Sequence, residues 1–168
     1  ALSVNTKAEV HRDGGKFMQE YVRGKRKAAV KKVAASKMQG TVITFEPDIE
    51  IFKEIKFDWN KIVSHLRQQA YLVKGVRISV IDAREYAGKI DLDDIMYLRE
   101  LALDTRRVSF YFEGGLLSLV KFYNQYQTPI HKTIFYVDKE VDDVQVEISL
   151  QYVDDISDRI VPFANNTH

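Results

Sequence analysis

The residues able to do chemistry in this chain are few and scattered. Histidines stand at 11, 65, 131 and 168, none three or four residues from another. That spacing does not put two imidazoles on one helix face around a metal, so no zinc site is expected. The acidic pairs Asp93-Asp94 and Asp142-Asp143 carry the oxygen ligands a hard cation prefers. A helix start and a hairpin turn need the same residues for other reasons, the dipole and the tight bend. A serine, a histidine and an aspartate can be picked from distant positions, but no G-x-S-x-G elbow accompanies them. Cysteine is absent, which removes disulfides and thiolate chemistry.

The stretch "FEGGLLSLVKFYNQYQTPIH", Phe112 to His131, comes nearest to a binding motif. A strand-like run meets Gly114-Gly115 and then an amphipathic segment, the outline of both a phosphate-binding loop and a hinge. A P-loop needs G-x-x-x-x-G-K-[ST], so that backbone N–H groups surround phosphates while Lys and Ser/Thr reach the outer phosphate and metal. "EGGLLSLVKF" has neither the spacing nor the hydroxyl, and G-x-G-x-x-G is missing too. The pair reads as a flexible strand-to-helix turn.

Charge is distributed unevenly. The net value is +1, yet residues 1–40 hold ten Lys/Arg against three Asp/Glu, giving +7 and leaving −6 for the remainder. The excess sits in "RGKRKAAVKKVAASK", Arg23 to Lys37. Such a run could touch phosphates, and a solvated connector between strands has the same composition.

The elements that must position these residues alternate between two periodicities. Leu2, Val4, Thr6, Ala8 and Val10 have the period of a half-buried strand, Asp13-Gly14 signals a tight turn, and "KFMQEYV" is its return strand. "GTVITF", Gly40 to Phe45, is a β-branched strand stopped by Pro47 and Asp48. Asp58 is placed to cap a helix from Trp59 to about Leu72, with Ile62, Val63, Leu66 and Ala70 on its apolar side and Gly75 after its end. "VRISVID" and "RRVSFYF" are strands, and helical spacing recurs from Asp91 and from Leu116 to Tyr123, with Pro129 beyond. "TIFYV" (Thr133 to Val137) and the alternating Val144 to Tyr152 close the chain as strands, joined through "DKEVDD". The whole predicts an α+β fold.

The 168 residues, 45% hydrophobic, suffice for one medium domain or two small ones. No run approaches the roughly 20 apolar residues of a membrane span and no signal peptide is visible. A soluble, intracellular protein is expected. The chain begins at Ala1 without methionine and ends at "VPFANNTH" with no terminal element, so both ends are expected to be cut.

Taken together and in order, "RDGGK", "GTVITFEPDIEIF", "LRQQAYLVKGVRISVID", "FYFEGGLLSLVKFYNQYQTPIH" and "VEISLQYVDD…VPFANN" resemble the ATPase region of the B subunit of bacterial DNA gyrase and its topoisomerase IV counterpart. The resemblance implies that 1–113 is the later half of a GHKL (Bergerat-type) ATP-binding sandwich. It implies that 114–168 opens the ribosomal-S5-like transducer domain, with Gly114-Gly115 the junction. Thr41 matches the threonine of the family's G-T-x-V motif, whose hydroxyl helps hold adenine. Ile43 matches an apolar pocket-wall position, and Arg12 an arginine at the pocket mouth that meets inhibitors.

The same resemblance implies absences. The family's water-activating glutamate, metal-binding asparagine, adenine-binding aspartate and glycine-rich lid fall before Ala1, and the transducer lysine after His168. No catalytic residue is therefore expected here, and the chain alone is expected not to hydrolyse ATP. ATP and Mg2+ are implied for the intact enzyme, with DNA, an A-type subunit of gyrase or topoisomerase IV, and a second copy of the ATPase subunit (a homodimer) as partners. A cytoplasmic, nucleoid-associated location is implied, with no membrane. The helix-like segment 88–103 exceeds the family's usual short connection. The competing reading is a truncated, non-enzymatic GHKL-like binding module.

Overall fold

A computed structural model describes residues 2–90 and 102–164. The fold is α+β, as expected, and the described residues divide into two compact units, 2–57 with 88–90, and 58–87 with 102–164. The helix expected from Asp91, with Asp93-Asp94 and most of 88–103, lies outside the described residues.

The first unit is an antiparallel sheet. Strand β1 (Ser3–Arg12) turns at Asp13-Gly14 into β2 (Gly15–Val22). Both turn residues have positive φ, 50° and 70°, as a two-residue turn matching strand twist requires. β2 turns again at Arg23-Gly24, φ 46° and 80°, into the short β3 (Lys25–Arg26). β4 (Lys31–Ala35) also pairs with β2, beside Phe17 and Met18, and β5 (Gly40–Pro47) pairs with the far side of β1.

The run Arg23 to Lys37 is therefore more than a connector. Its middle supplies the edge of the sheet, and every residue from Arg23 to Ala35 is exposed. Lysine-rich composition conceals a strand, because the pairing partner supplies what local propensity does not.

The second unit packs rings. α1 (Trp59–Leu72) starts where expected, the Asp58 carboxylate accepting from the Lys61 N–H at 3.0 Å. After Gly75 come β6 (Ile78–Asp82) and its antiparallel partner β7 (Arg106–Phe110), then α2 (Leu116–Tyr123). Tyr71 of α1 stacks on Phe112 at 3.8 Å between centroids and lies 5.9 Å from Phe122 of α2. Arg67 lies over Phe110 and Phe122 at 5.2 and 5.5 Å. Ala70, Tyr71, Phe110 and Leu119 are buried together with Leu103.

The last hairpin is longer than its sequence suggests. β8 (Phe135–Val141) continues through Asp138 to Val141, so only Asp142-Asp143 forms the turn before β9 (Val144–Leu150). Both aspartates have positive φ, 51° and 61°, a conformation that Asp tolerates better than most residues. Charged residues facing solvent on a strand have the composition of a loop.

Candidate functional site

On β5, Thr41, Ile43 and Phe45 point to one side, because strand side chains alternate. Across the ladder they meet Val10, Ala8 and Thr6 of β1, and behind Val10 stands Phe17 of β2. Arg12 lies two residues beyond Val10 on β1, hence on the same face and at the end that Thr41 occupies. The fold thus brings Arg12, Thr41 and Ile43 together although Arg12 and Thr41 stand 29 positions apart in the chain.

This face is open. Thr41 is exposed, Ile43 is 58% exposed and Phe45 56%. The Arg12 guanidinium lies 3.8 Å from the Asp13 carboxylate and 6.0 Å from the centre of the Phe17 ring. With its side chain 68% exposed, this pairing holds it only loosely, since surface ion pairs contribute little. A hydroxyl that both donates and accepts, an apolar wall beside it and a cation at the rim suit a flat heteroaromatic group with an anionic extension. The strand positions facing this side supply no carboxylate or imidazole beside Thr41, so the face can bind but has no general base to offer.

The opposite face of the sheet carries the ions. Glu9, 2% exposed, takes Lys7 at 2.7 Å and Lys16 at 2.8 Å. Burial alone would raise its pKa, but the two ammonium groups, Lys16 and Lys7, outweigh burial and hold the carboxyl below the ordinary value. His11, 4% exposed, shares a 2.7 Å hydrogen bond between Nδ1 and the Ser36 hydroxyl. The strand alternation at Leu2 to Val10 points to the other side as the buried one. It is Glu9 and His11 that are buried, because ion pairing and hydrogen bonding satisfy them there.

Beyond β5 the chain is pinned by Asp48, 2% exposed. Its carboxylate accepts from the Glu50 N–H at 3.0 Å and pairs with Arg23 Nε at 3.0 Å, while Arg23 also reaches Glu50 at 2.7 Å. The hydrogen bond to Glu50, with Asp48 beside it, raises the Arg23 pKa. Phe45, Pro47 and Leu2 then border an apolar cleft of about 380 Å³ with Phe52, Ile55 and Phe57. Neither the buried ions nor this cleft is legible in the sequence. Pro47-Asp48 is the one available signal for the second, as a turn that returns the chain over its own strand.

In the second unit the glycine pair opens α2 and lies against the side chains of Lys74 and Ser118. Gly115 has φ 52° and ψ −125°, and a Cβ there would come within 2.7 Å of the Lys74 side chain. Lys74 extends past it to Glu147 at 2.8 Å and Asp138 at 3.3 Å, and to the Tyr136 hydroxyl. The role of His131 is structural. Its Nε2 accepts from the Tyr152 N–H at 3.1 Å and its Nδ1 faces the Thr133 carbonyl at 2.6 Å. Among the described residues no three His, Asp or Glu side chains stand close enough to share a metal. No helix among them is long and apolar enough to cross a membrane.

No family model matches the chain. Over its whole length it is 32% identical to the B subunit of DNA gyrase from Bacillus mycoides and 34% identical to that from Clostridium acetobutylicum. It spans only 37% and 24% of those proteins. In three dimensions it matches the 43K ATPase domain of Thermus thermophilus gyrase B, solved with an aminocoumarin, at a TM-score of 0.73 and 26% identity. That match covers 90% of this chain and 37% of the other. The B subunit of Myxococcus xanthus gyrase, at 19% identity, a TM-score of 0.70 and 92% and 40% coverage, shares the fold. Along its whole length the chain is thus a relative of one part of the gyrase B protein, a part that lies within the ATPase domain.

Proposed function

We propose that this chain is part of the ATP-binding region of the ATP-hydrolysing subunit of a type II DNA topoisomerase, and that Arg12, Thr41 and Ile43 contact the nucleotide. One observation carries the reading: Arg12 of β1 meets Thr41 and Ile43 of β5, some thirty residues on in the chain, at one end of one open sheet face. Thr41 offers its hydroxyl to the polar edge of adenine, Ile43 the apolar surface against its ring, and Arg12 guards the mouth. The Thermus relative, an ATPase domain solved with an aminocoumarin, supports a small-molecule site in the domain that this chain matches.

The face accounts for binding and orientation only. Bound ATP supplies the phosphoanhydride whose hydrolysis drives the intact enzyme, and among the described residues this face contributes no group that activates water. The described residues hold no cluster fit for Mg2+, so no step is assigned to that ion here. In the intact enzyme, nucleotide binding would pair two such subunits around a DNA segment, with the A-type subunits alongside, in the cytoplasm. The division at Gly114, with 1–113 on the nucleotide side and 114–168 opening the transducer, belongs to the same reading. It is supported by a backbone conformation at Gly115 that permits a sharp change of direction.

Binding of a fluorescent ATP analogue, with a hydrolysis assay in parallel, tests this. Weak, millimolar binding that Thr41→Ala and Arg12→Ala each reduce, with no turnover, is expected. Magnesium-dependent turnover that survives rigorous purification and vanishes in Thr41→Ala would sink the claim that this chain lacks the catalytic group.

A further inference from the structure

The basic edge of the first unit is not consumed by the nucleotide face. Lys25 and Arg26 of β3 pair with Val22 and Tyr21 of β2, and Lys31 and Lys32 of β4 with Met18 and Phe17. The two short strands thus lie along the same side of β2, separated by the bend at 27–30. From Val22 to Phe17 is five steps along a strand, about 17 Å. Lys37 follows at the end of the run.

The remaining cations of the run and of β1 and β2 are paired, while Lys53, Lys56 and Lys89, exposed too, lie outside the sheet. Arg23 is held by Asp48 and Glu50, Lys27 by Glu20 at 3.6 Å, and Lys7 and Lys16 by Glu9. Lys25, Arg26, Lys31, Lys32 and Lys37 are all exposed and form no ion pair with a described residue. No acidic residue falls between Arg23 and Lys37.

We infer that this edge is a sequence-independent contact surface for the phosphate backbone of duplex DNA. The dimensions fit: a duplex advances about 3.4 Å per phosphate on each strand, so about 17 Å of axis presents about five phosphates on one strand. Four exposed cations, Lys25, Arg26, Lys31 and Lys32, lie along that length, and Lys37 lies beyond its end. Edge lysines also blunt strands against unwanted pairing; five exposed cations in a run without an acidic residue build a positive field as well. The cations lie on both sides of the edge, since Lys31 and Lys32 alternate, as do Lys25 and Arg26. They can straddle a backbone, but do not converge on a base edge. The choice of duplex DNA over another polyanion rests on the topoisomerase reading; the charged surface itself does not.

The test is fluorescence anisotropy of a labelled 30-base-pair duplex with the full chain, between about 50 and 200 mM NaCl. Five phosphate contacts predict a slope of about −4.5 in log K against log salt, hence about a 500-fold loss across that fourfold range. Replacing Lys25, Arg26, Lys31 and Lys32 by Gln should flatten the slope to about −0.9. Replacing Lys61, Lys121, Lys132 and Lys139, exposed residues of the second unit, removes the same charge and should leave the slope intact.

Equal loss in both quartets would overturn the inference, as would tight binding by the edge quartet. No duplex binding at low salt, or binding to anionic vesicles of phosphatidylserine in its place, would also overturn it. The slope of the unaltered chain decides even where a quartet fails to fold. Absence of duplex binding by the unaltered chain, with nucleotide effects at Thr41 retained, would refute this surface and leave the proposed function standing.

Discussion

The two units are held together by opposite means. In the second, the buried side chains are apolar: Ala70, Tyr71, Leu103, Phe110 and Leu119. In the first they are Glu9, His11 and Asp48, while Leu2, Ile43 and Phe45 are more than half exposed. The usual rule for a sheet is an apolar inner face and a polar outer one. A sheet that satisfies its ions and leaves its apolar face open is built to be covered. The second unit carries a core of its own; the first presents a surface, and the proposed nucleotide contacts stand on it.

Breaking the ring cluster should have the largest effect. Tyr71→Ala removes a buried ring stacked on Phe112 and should destabilise the second unit by about 3–5 kcal/mol. Trp59, the single tryptophan, lies in that unit and reports its unfolding in urea. An unchanged midpoint would mean that the rings are not its core.

The matching change in the first unit is smaller. Glu9→Ala strands two lysines that can still swing toward water, so about 2–3 kcal/mol is expected rather than the full cost of a deeply buried pair. Hydrogen exchange of the β1 and β2 amides measures it. The sign with pH follows from the lowered pKa of Glu9. Its contribution is fully present above the ordinary glutamate value of 4.5 and is lost as pH falls through the lower folded value. Protection in β1 should therefore weaken on acidification in the parent chain, and this loss should be absent in Glu9→Ala.

Gly115→Ala should cost about 1–3 kcal/mol, because φ 52° with ψ −125° admits little but glycine. Lys74→Ala in the same chain would relieve the contact with the new Cβ and leave the backbone cost. A double variant as stable as the parent would show that crowding, not conformation, sets the penalty. Smallest of all, Thr41→Ala should change stability by no more than about 0.5 kcal/mol, as for an exposed residue outside any packed feature. A large loss there would make Thr41 a structural residue.

Local chemistry is legible where the signal is local. The Asp58 cap, the Asp13-Gly14 turn and the amphipathic Leu116 to Tyr123 each depend on neighbours a few residues away, and each stands where its residues place it. What depends on distant pairing is not legible. β3 and β4 exist because β2 offers them hydrogen bonds, and Asp138 to Val141 is strand because β9 returns beside it. For the candidate site, motif resemblance singles out Thr41, Ile43 and Arg12, but no spacing in the chain says that they share a face. The inversion of the first sheet is hidden for the same reason: the partners of Glu9, Lys7 and Lys16, come from two strands.

The most direct test of the open face is an amide and side-chain NMR titration of the chain with a non-hydrolysable magnesium–ATP analogue. Shifts are expected at Arg12, Thr41 and Ile43, with Glu9 and His11 of the opposite face undisturbed. Shifts centred on Glu9 and His11, or none at millimolar nucleotide, would contradict it.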